Sequence, residues 1–112
     1  RAAMVSAMTM LADQLEVLRH AVAIPDPRDP DVAAAVVWVP DAAVVTVAAG
    51  GASVTVVGPD PETARAHAES ALALGADGPA WTLGLDGYEA LTILADRTLL
   101  MTPGFPALED PS

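Results

Sequence analysis

The sequence predicts an α+β protein of two layers, a mainly antiparallel sheet covered by helices, in the order helix, three strands, helix, two or three strands. Three features predict it. An apolar stripe at helical spacing opens the chain, valine-rich segments bounded by turn residues follow, and then an alanine-rich segment begins at a proline. The length, 112 residues, is that of a single domain, 1–112.

The first predicted element is a helix over 2–23, followed by a proline- and aspartate-rich connector over 24–31. Its apolar residues alternate four and three positions apart, at Met4, Met8, Leu11, Leu15, Leu18 and Val22. This spacing is typical both of a coiled-coil seam and of a helix lying on a sheet, so two packing partners stay open. The prolines of the connector lack an amide donor and force their predecessors out of the α region, which ends the helix.

A three-stranded meander is predicted over 32–57, with turns at Pro40-Asp41 and Gly50-Gly51. If the two glycines form a two-residue hairpin turn, the register of the last two strands is fixed. The expected pairs are Val47 with Val54, Thr46 with Thr55 and Val45 with Val56, which matches like with like.

A second helix is predicted over 60–75. Asp60 is an N-cap residue, Pro61 suits the first helical position, and Gly75 is a stop signal. The expected inward face consists of small or apolar side chains, Ala64, Ala68, Ala71 and Leu72.

Strands are predicted over 80–102, starting with the alternating segment Trp81-Thr-Leu-Gly-Leu85, and an irregular tail over 103–112. Within this part, 87–100 has a helical alternative, since Glu89 lies three residues after Asp86 as in a capping box. Strands are favoured because Thr92 and Ile93 are β-branched.

The charge balance excludes two classes of partner. Fifteen acidic residues face five basic ones, a net charge of −10, which argues against a protein that binds nucleic-acid phosphates or an anionic membrane surface. Acidic mimicry of a nucleic acid is a third function class, weakened because the acids concentrate in predicted loops. Alanine, glycine, arginine and proline together supply 47 of the 112 residues and lysine is absent, which is typical of a GC-rich bacterial genome.

No transmembrane or targeting segment is predicted. The nearly uncharged segment 32–57 is divided by Pro40-Asp41 and Gly50-Gly51 into pieces too short to cross a bilayer as a helix. The N-terminal segment carries Asp13 and Glu16 where a secretory signal would be apolar. A cytoplasmic location is therefore the expectation.

The sequence offers no catalytic, metal or cofactor motif, so we expect neither an enzyme nor a cofactor. There is no cysteine, and His20 and His67 each lack a second ligand at helical spacing. A rival hypothesis is a small-molecule-binding protein, or an enzyme that uses carboxylates and a histidine, with a pocket between sheet and helices. His67 and Asp86 are the residues that would test it.

An excess of apolar residues predicts a non-enzymatic protein–protein interaction module. In the segment 32–39 both alternating sets of side chains are apolar, whereas a half-buried antiparallel strand alternates with polar residues. We therefore expect self-association, most simply as a homodimer, and binding to a further protein. The candidate interface residues are Met8, Leu11, Leu15, Leu18, Val22, Val37, Trp38 and Val39.

The predicted element order is similar to that of the class I chaperones of bacterial type III secretion. In particular, Trp81-Thr-Leu-Gly-Leu-Asp86 followed by an apolar hairpin looks like their second half. Roadblock-type dimerisation domains have a comparable order. The closing helix of both families is absent from the predicted elements, and neither resemblance assigns a functional residue. The two resemblances imply only a chaperone-like or adaptor role.

Overall fold

The computed structural model describes residues 20–39, 42–106 and 108–109. Within these ranges, seven strands form two antiparallel sheets. The first sheet has the order β1-β2-β7, and the second has the order β3-β4-β5-β6. The strands are β1 (His20–Asp26), β2 (Asp29–Val39), β3 (Ala43–Ala49), β4 (Ala52–Gly58), β5 (Glu89–Ile93), β6 (Leu99–Met101) and β7 (Leu108–Glu109). Two α-helices, α1 (Pro61–Leu74) and α2 (Gly78–Thr82), flank the 3₁₀ turn Gly75–Asp77.

The α+β class and the mainly antiparallel pairing are confirmed, with the strands divided between two sheets. The first sheet packs on one face of the second sheet, and α1 packs on its other face. Consequently β4, in the middle of the molecule, is buried over six of its seven residues. The chain thus covers both faces of its main sheet by itself.

Between the sheets lies an aliphatic core that also holds Phe105 from the segment after β6. Its buried members are Ile24, Val37, Val39, Val57, Leu91, Ile93 and Phe105. A second core lies under α1, where small side chains let the helix approach the sheet closely. Its buried members are Val54, Val56, Ala64, Ala68, Ala71, Tyr88 and Ala90.

Two local predictions are confirmed in detail. Gly50 and Gly51 form the turn with φ values of 64° and 81°, and the pairs Val47–Val54, Thr46–Thr55 and Val45–Val56 have the expected register. The hydroxyl oxygens of Thr46 and Thr55 lie 2.8 Å apart in a hydrogen bond.

The helix predicted over 60–75 is also confirmed, as α1. The carboxylate of Asp60 accepts hydrogen bonds from the amide and the hydroxyl of Thr63, both at 2.8 Å. These bonds hold the pKa of Asp60 below its ordinary value. Gly75, with φ 60°, ends the helix.

The prediction for 20–31 was wrong. Residues 20–23, placed at the end of a helix, belong to β1, and the segment 24–31, placed in a connector, forms the rest of a β1–β2 hairpin around Pro27-Arg28. Pro25 is tolerated because β1 is the outermost described strand of its sheet, where a missing amide donor breaks no ladder bond on the open side. The register accordingly shifts on both sides of Pro25. Residues 2–19 of the predicted helix lie outside the described residues.

Three further expectations need correction. The strands over 32–57 do not form one meander, because β2 leaves β3 and pairs with β1 and β7 instead. The segment 81–85 is not a strand: α2 continues to Thr82, whose hydroxyl donates to the carbonyl of Pro79 at 2.6 Å. The tail predicted irregular over 103–112 contains the short strand β7. By contrast, the favoured strands within 87–100 are present as β5 and the start of β6.

Candidate interaction surfaces

The predicted interface residues fall into three groups. Trp38 is 43% exposed on the outer side of β2. Val37 and Val39 are buried between the sheets and Val22 is half-buried against the same core. The apolar character of these three valines is therefore accounted for by this chain alone, which corrects the expectation that they contact another chain. Met8, Leu11, Leu15 and Leu18 lie outside the described residues.

One exposed apolar surface is the outer face of the first sheet. Trp38 pairs across the strands with Ala21, and Val36 pairs with Ala23. Because directly paired residues point to the same side of a sheet, these four uncharged side chains lie on one face, where Val36 is also paired with Glu109 of β7. Of them, Ala21, Ala23 and Trp38 are exposed and Val36 is half-buried.

A second exposed surface was not predicted, and we call it the β6 edge patch: Leu83, Leu99, Leu100 and Met101. All four side chains are exposed, Leu83 most of all at 63%. A shallow groove of about 210 Å³ joins Leu83 to Leu100 and Met101 and is also lined by Pro79, Ala80 and Thr82. No member of this patch or groove carries a charge. The sequence contains one indication of this exposed surface. The run Leu99-Leu100-Met101 lacks the polar alternation of a half-buried strand.

The backbone of β6 is also unpaired on one side among the described residues, since β6 is the last strand of the second sheet. The amide of Thr102 donates to the carbonyl of Ala90 at 3.0 Å, and that of Leu94 donates to the carbonyl of Thr98 at 2.9 Å. Hydrogen-bonded and non-hydrogen-bonded positions alternate in an antiparallel pair. Leu99 and Met101 therefore direct their amide and carbonyl groups away from β5.

At one end of the molecule two arginines join the tips of the two sheets. The Arg97 side chain, in the β5–β6 turn, lies 3.2 Å from the carboxylate of Asp26 in β1. Reciprocally, Arg28 in the β1–β2 turn donates to the carbonyl of Ala95 at 2.8 Å. An open groove of about 420 Å³ lies beside the first contact. Its lining consists of Asp29, Val32, Ala33 and Ala34 of β2 together with Asp26, Ile93, Arg97 and Leu99. Each arginine side chain therefore contacts an oxygen atom of the opposite hairpin, and the two contacts hold the ends of the two sheets together.

Arg97 has a positive φ of 72°, unlike any other described residue that is not glycine. A side chain in this region costs about 1 to 2 kcal/mol, and a three-residue hairpin loop commonly places glycine there. The adjacent Asp96 accepts hydrogen bonds from Thr98, which lowers the pKa of the Asp96 carboxyl. The ion pair with Asp26 is the contact that an arginine gains at this strained position.

We expect Arg97→Gly to be more stable than Arg97→Ala by about 1 kcal/mol. Both variants lose the ion pair, but only alanine retains the strain of a positive φ. Urea unfolding followed by circular dichroism measures the difference. Equal stabilities would mean that the turn relaxes to a negative φ without cost.

The residues of the rival enzyme hypothesis do not form a catalytic pair. His67 is half-buried on α1 and lies edge-on to Tyr88, with ring centroids 5.0 Å apart, and to Trp81 at 6.1 Å. Asp86 is exposed in the bend before β5. No hydrogen bond or ion pair joins these two described side chains. Within the described ranges, no group of three or more histidine or acidic side chains is arranged to hold a metal ion.

Comparison of the chain with known protein families, with curated proteins and with solved structures finds no match. A function for this protein is therefore inferred from the geometry of its exposed surfaces. None of the helices described, over 42–106, has the length and apolar run needed to cross a membrane.

Proposed function

We propose that this protein is a non-enzymatic protein–protein interaction module that self-associates as a homodimer. The observation that carries the proposal is the β6 edge patch, in which exposed leucine and methionine side chains surround a strand whose outer edge is paired with no described strand. Natural proteins usually protect such an edge with charges, proline or a covering segment, because it pairs readily with another chain. The segment Thr98–Thr102 contains no charged residue and no proline, and no described strand covers it.

The outer face of the first sheet supports the same function and supplies a place for a different protein. Trp38 is the kind of large, exposed aromatic residue that dominates the binding energy of interfaces. A module with two apolar surfaces can dimerise through one and bind a partner through the other. An adaptor, a chaperone-like protein, an immunity protein or an assembly component acting in the cytoplasm fits this arrangement.

The rival function, binding of a small molecule between sheet and helices, would use a cleft between the second sheet and α1. It has a volume of about 280 Å³, and its lining includes Val54, Ala71, Leu72 and Thr92. Ligand pockets are typically about 300 to 1,000 Å³ with several convergent polar groups. This cleft offers a single side-chain hydroxyl, and neither His67 nor Asp86 lines it, so the interaction function is better supported.

We expect the mass in solution to approach twice 11.4 kDa at micromolar concentration and to fall towards 11.4 kDa on dilution. Light scattering coupled to size-exclusion chromatography, with sedimentation equilibrium for the dilution series, measures it. A mass that stays at 11.4 kDa up to about 100 µM would contradict self-association.

A further inference from the structure

We propose that β6 pairs antiparallel with β6 of a second copy, about a twofold axis at Leu100, so that the two second sheets become one continuous sheet. The inference rests on the proposed self-association and names its surface and register. It assigns the dimer to a part of the chain that the sequence did not single out. Neither Trp38 nor the N-terminal apolar stripe is required for it.

The backbone of β6 is self-complementary in this register. Leu99 and Met101 direct their amide and carbonyl groups away from β5, and Leu100 directs its own towards β5. With the axis at Leu100, Leu99 lies opposite Met101 of the second copy and exchanges two hydrogen bonds with it. The symmetric pair exchanges two more. Leu100 then forms a non-hydrogen-bonded pair with itself, the closer of the two pair types.

Area favours a second copy over a single extended peptide as the occupant. A specific interface buries at least about 1,000 Å², which is more than a three-residue strand covers by itself. A twofold axis perpendicular to the sheet keeps the helices of both copies on the same side. Leu83 and the groove beside Leu100 therefore approach their symmetry mates and enlarge the interface.

The distribution of charge also favours a second copy of the chain as the occupant of the β6 edge. The molecule has a net charge of −10, so two copies repel each other least where their contact is free of acids. The β6 edge patch and its groove contain no charged side chain, and Thr98 and Thr102 flank the strand. On the side of Leu83 and Leu100 a basic partner would find no acid to pair with, whereas a second neutral apolar edge matches this one.

The absence of cysteine from the chain makes the register directly testable. In Leu100→Cys the two α-carbons would lie about 4.5 Å apart across the axis, within the range of about 4.4 to 6.8 Å that a disulfide spans. Mild oxidation of the full chain is expected to convert most of this variant to a covalent dimer on a non-reducing gel. Thermal unfolding of the reduced variant checks that it retains the fold.

Matched cysteines fix the register. Leu99→Cys and Met101→Cys are expected to cross-link poorly when each is oxidised alone, and efficiently when the two variants are mixed, because each lies opposite the other. Trp38→Cys is the control for the outer face of the first sheet and is expected to stay monomeric on the gel. Efficient cross-linking of Leu99→Cys alone would overturn the axis at Leu100.

A charge at the axis gives a second readout. Leu100→Arg places two like charges opposite each other and is expected to raise the dissociation constant of the dimer about 100-fold or more. Leu74→Arg, on an exposed leucine at the end of α1, is expected to leave it unchanged. An unchanged dissociation constant for Leu100→Arg would overturn the pairing.

The outcomes separate this inference from the function on which it rests. A dimeric wild-type chain in which Trp38→Cys cross-links and Leu100→Cys does not would overturn β6 pairing and leave self-association intact. A wild-type chain that is monomeric throughout would overturn both. Cross-linking of Leu100→Cys only to an added peptide or other protein would assign the edge to that partner and overturn pairing between copies.

Discussion

Replacement of Leu91 by alanine is expected to lower the free energy of unfolding by about 2 to 5 kcal/mol. Leu91 is completely buried in the core between the sheets, where it packs with Val57 and Ile93 of its own sheet and with Phe105. The substitution removes apolar burial and leaves a cavity. That cavity lies between the two sheets. The backbone hydrogen bonds within each sheet limit how far the surrounding residues can move to fill it.

Urea unfolding monitored by tryptophan fluorescence and by circular dichroism measures the change. Leu74→Ala is the matched control, because the same atoms are removed from a leucine that is 43% exposed. Its effect is expected to stay within about 0.5 kcal/mol. If Leu91→Ala were equally mild, the two sheets would not share a packed core.

The sequence-based predictions are accurate where local interactions determine an element and inaccurate where distant contacts determine it. The α1 helix and the Gly50-Gly51 hairpin are determined within a few residues, by a cap, a proline and a turn with positive φ. Both were predicted with correct boundaries or register. Short-range signals were sufficient there because no distant contact competes with them.

The β1–β2 hairpin was missed because its signal is tertiary. Pro25, Pro27 and Pro30 are strong local evidence against regular structure, yet the strands persist through the packing of Ile24 and Val37 against the second sheet. In a similar way, the alternation in Trp81–Leu85 is too short to separate a strand from a turn of helix. The packing of α2 against α1, rather than the alternation of side chains, determines that this segment is helical.

The apolar excess of the segment 32–39, which forms most of β2, is accounted for on one face only. Val37 and Val39 are buried against the second sheet, whereas Trp38 on the opposite face stays exposed. Other exposed apolar side chains include Leu99, Leu100 and Met101 of β6. Their position depends on which strand is last in the sheet, which the sequence pattern does not encode.

Substitution of Gly58 by alanine is the second change with a large expected effect, a loss of about 1 to 3 kcal/mol. A β-carbon at this position, at the end of β4, would overlap Cδ2 and Cε2 of the Tyr88 ring and lie 2.8 Å from its Cγ. Tyr88 is almost fully buried and its ring packs edge-on against His67. The ring therefore has little room to withdraw without displacing α1.

A double-mutant cycle tests this cause directly. Gly58→Ala is expected to cost much less in a Tyr88→Ala background, because the overlapping ring is gone and the two effects become strongly non-additive. Gly84→Ala is the control for the general effect of adding a methyl group, since the nearest atom there is the carbonyl oxygen of Trp81 at 3.6 Å, an ordinary contact. Additive effects of Gly58→Ala and Tyr88→Ala would show that strain in β4, rather than the approach of the ring, selects glycine at position 58.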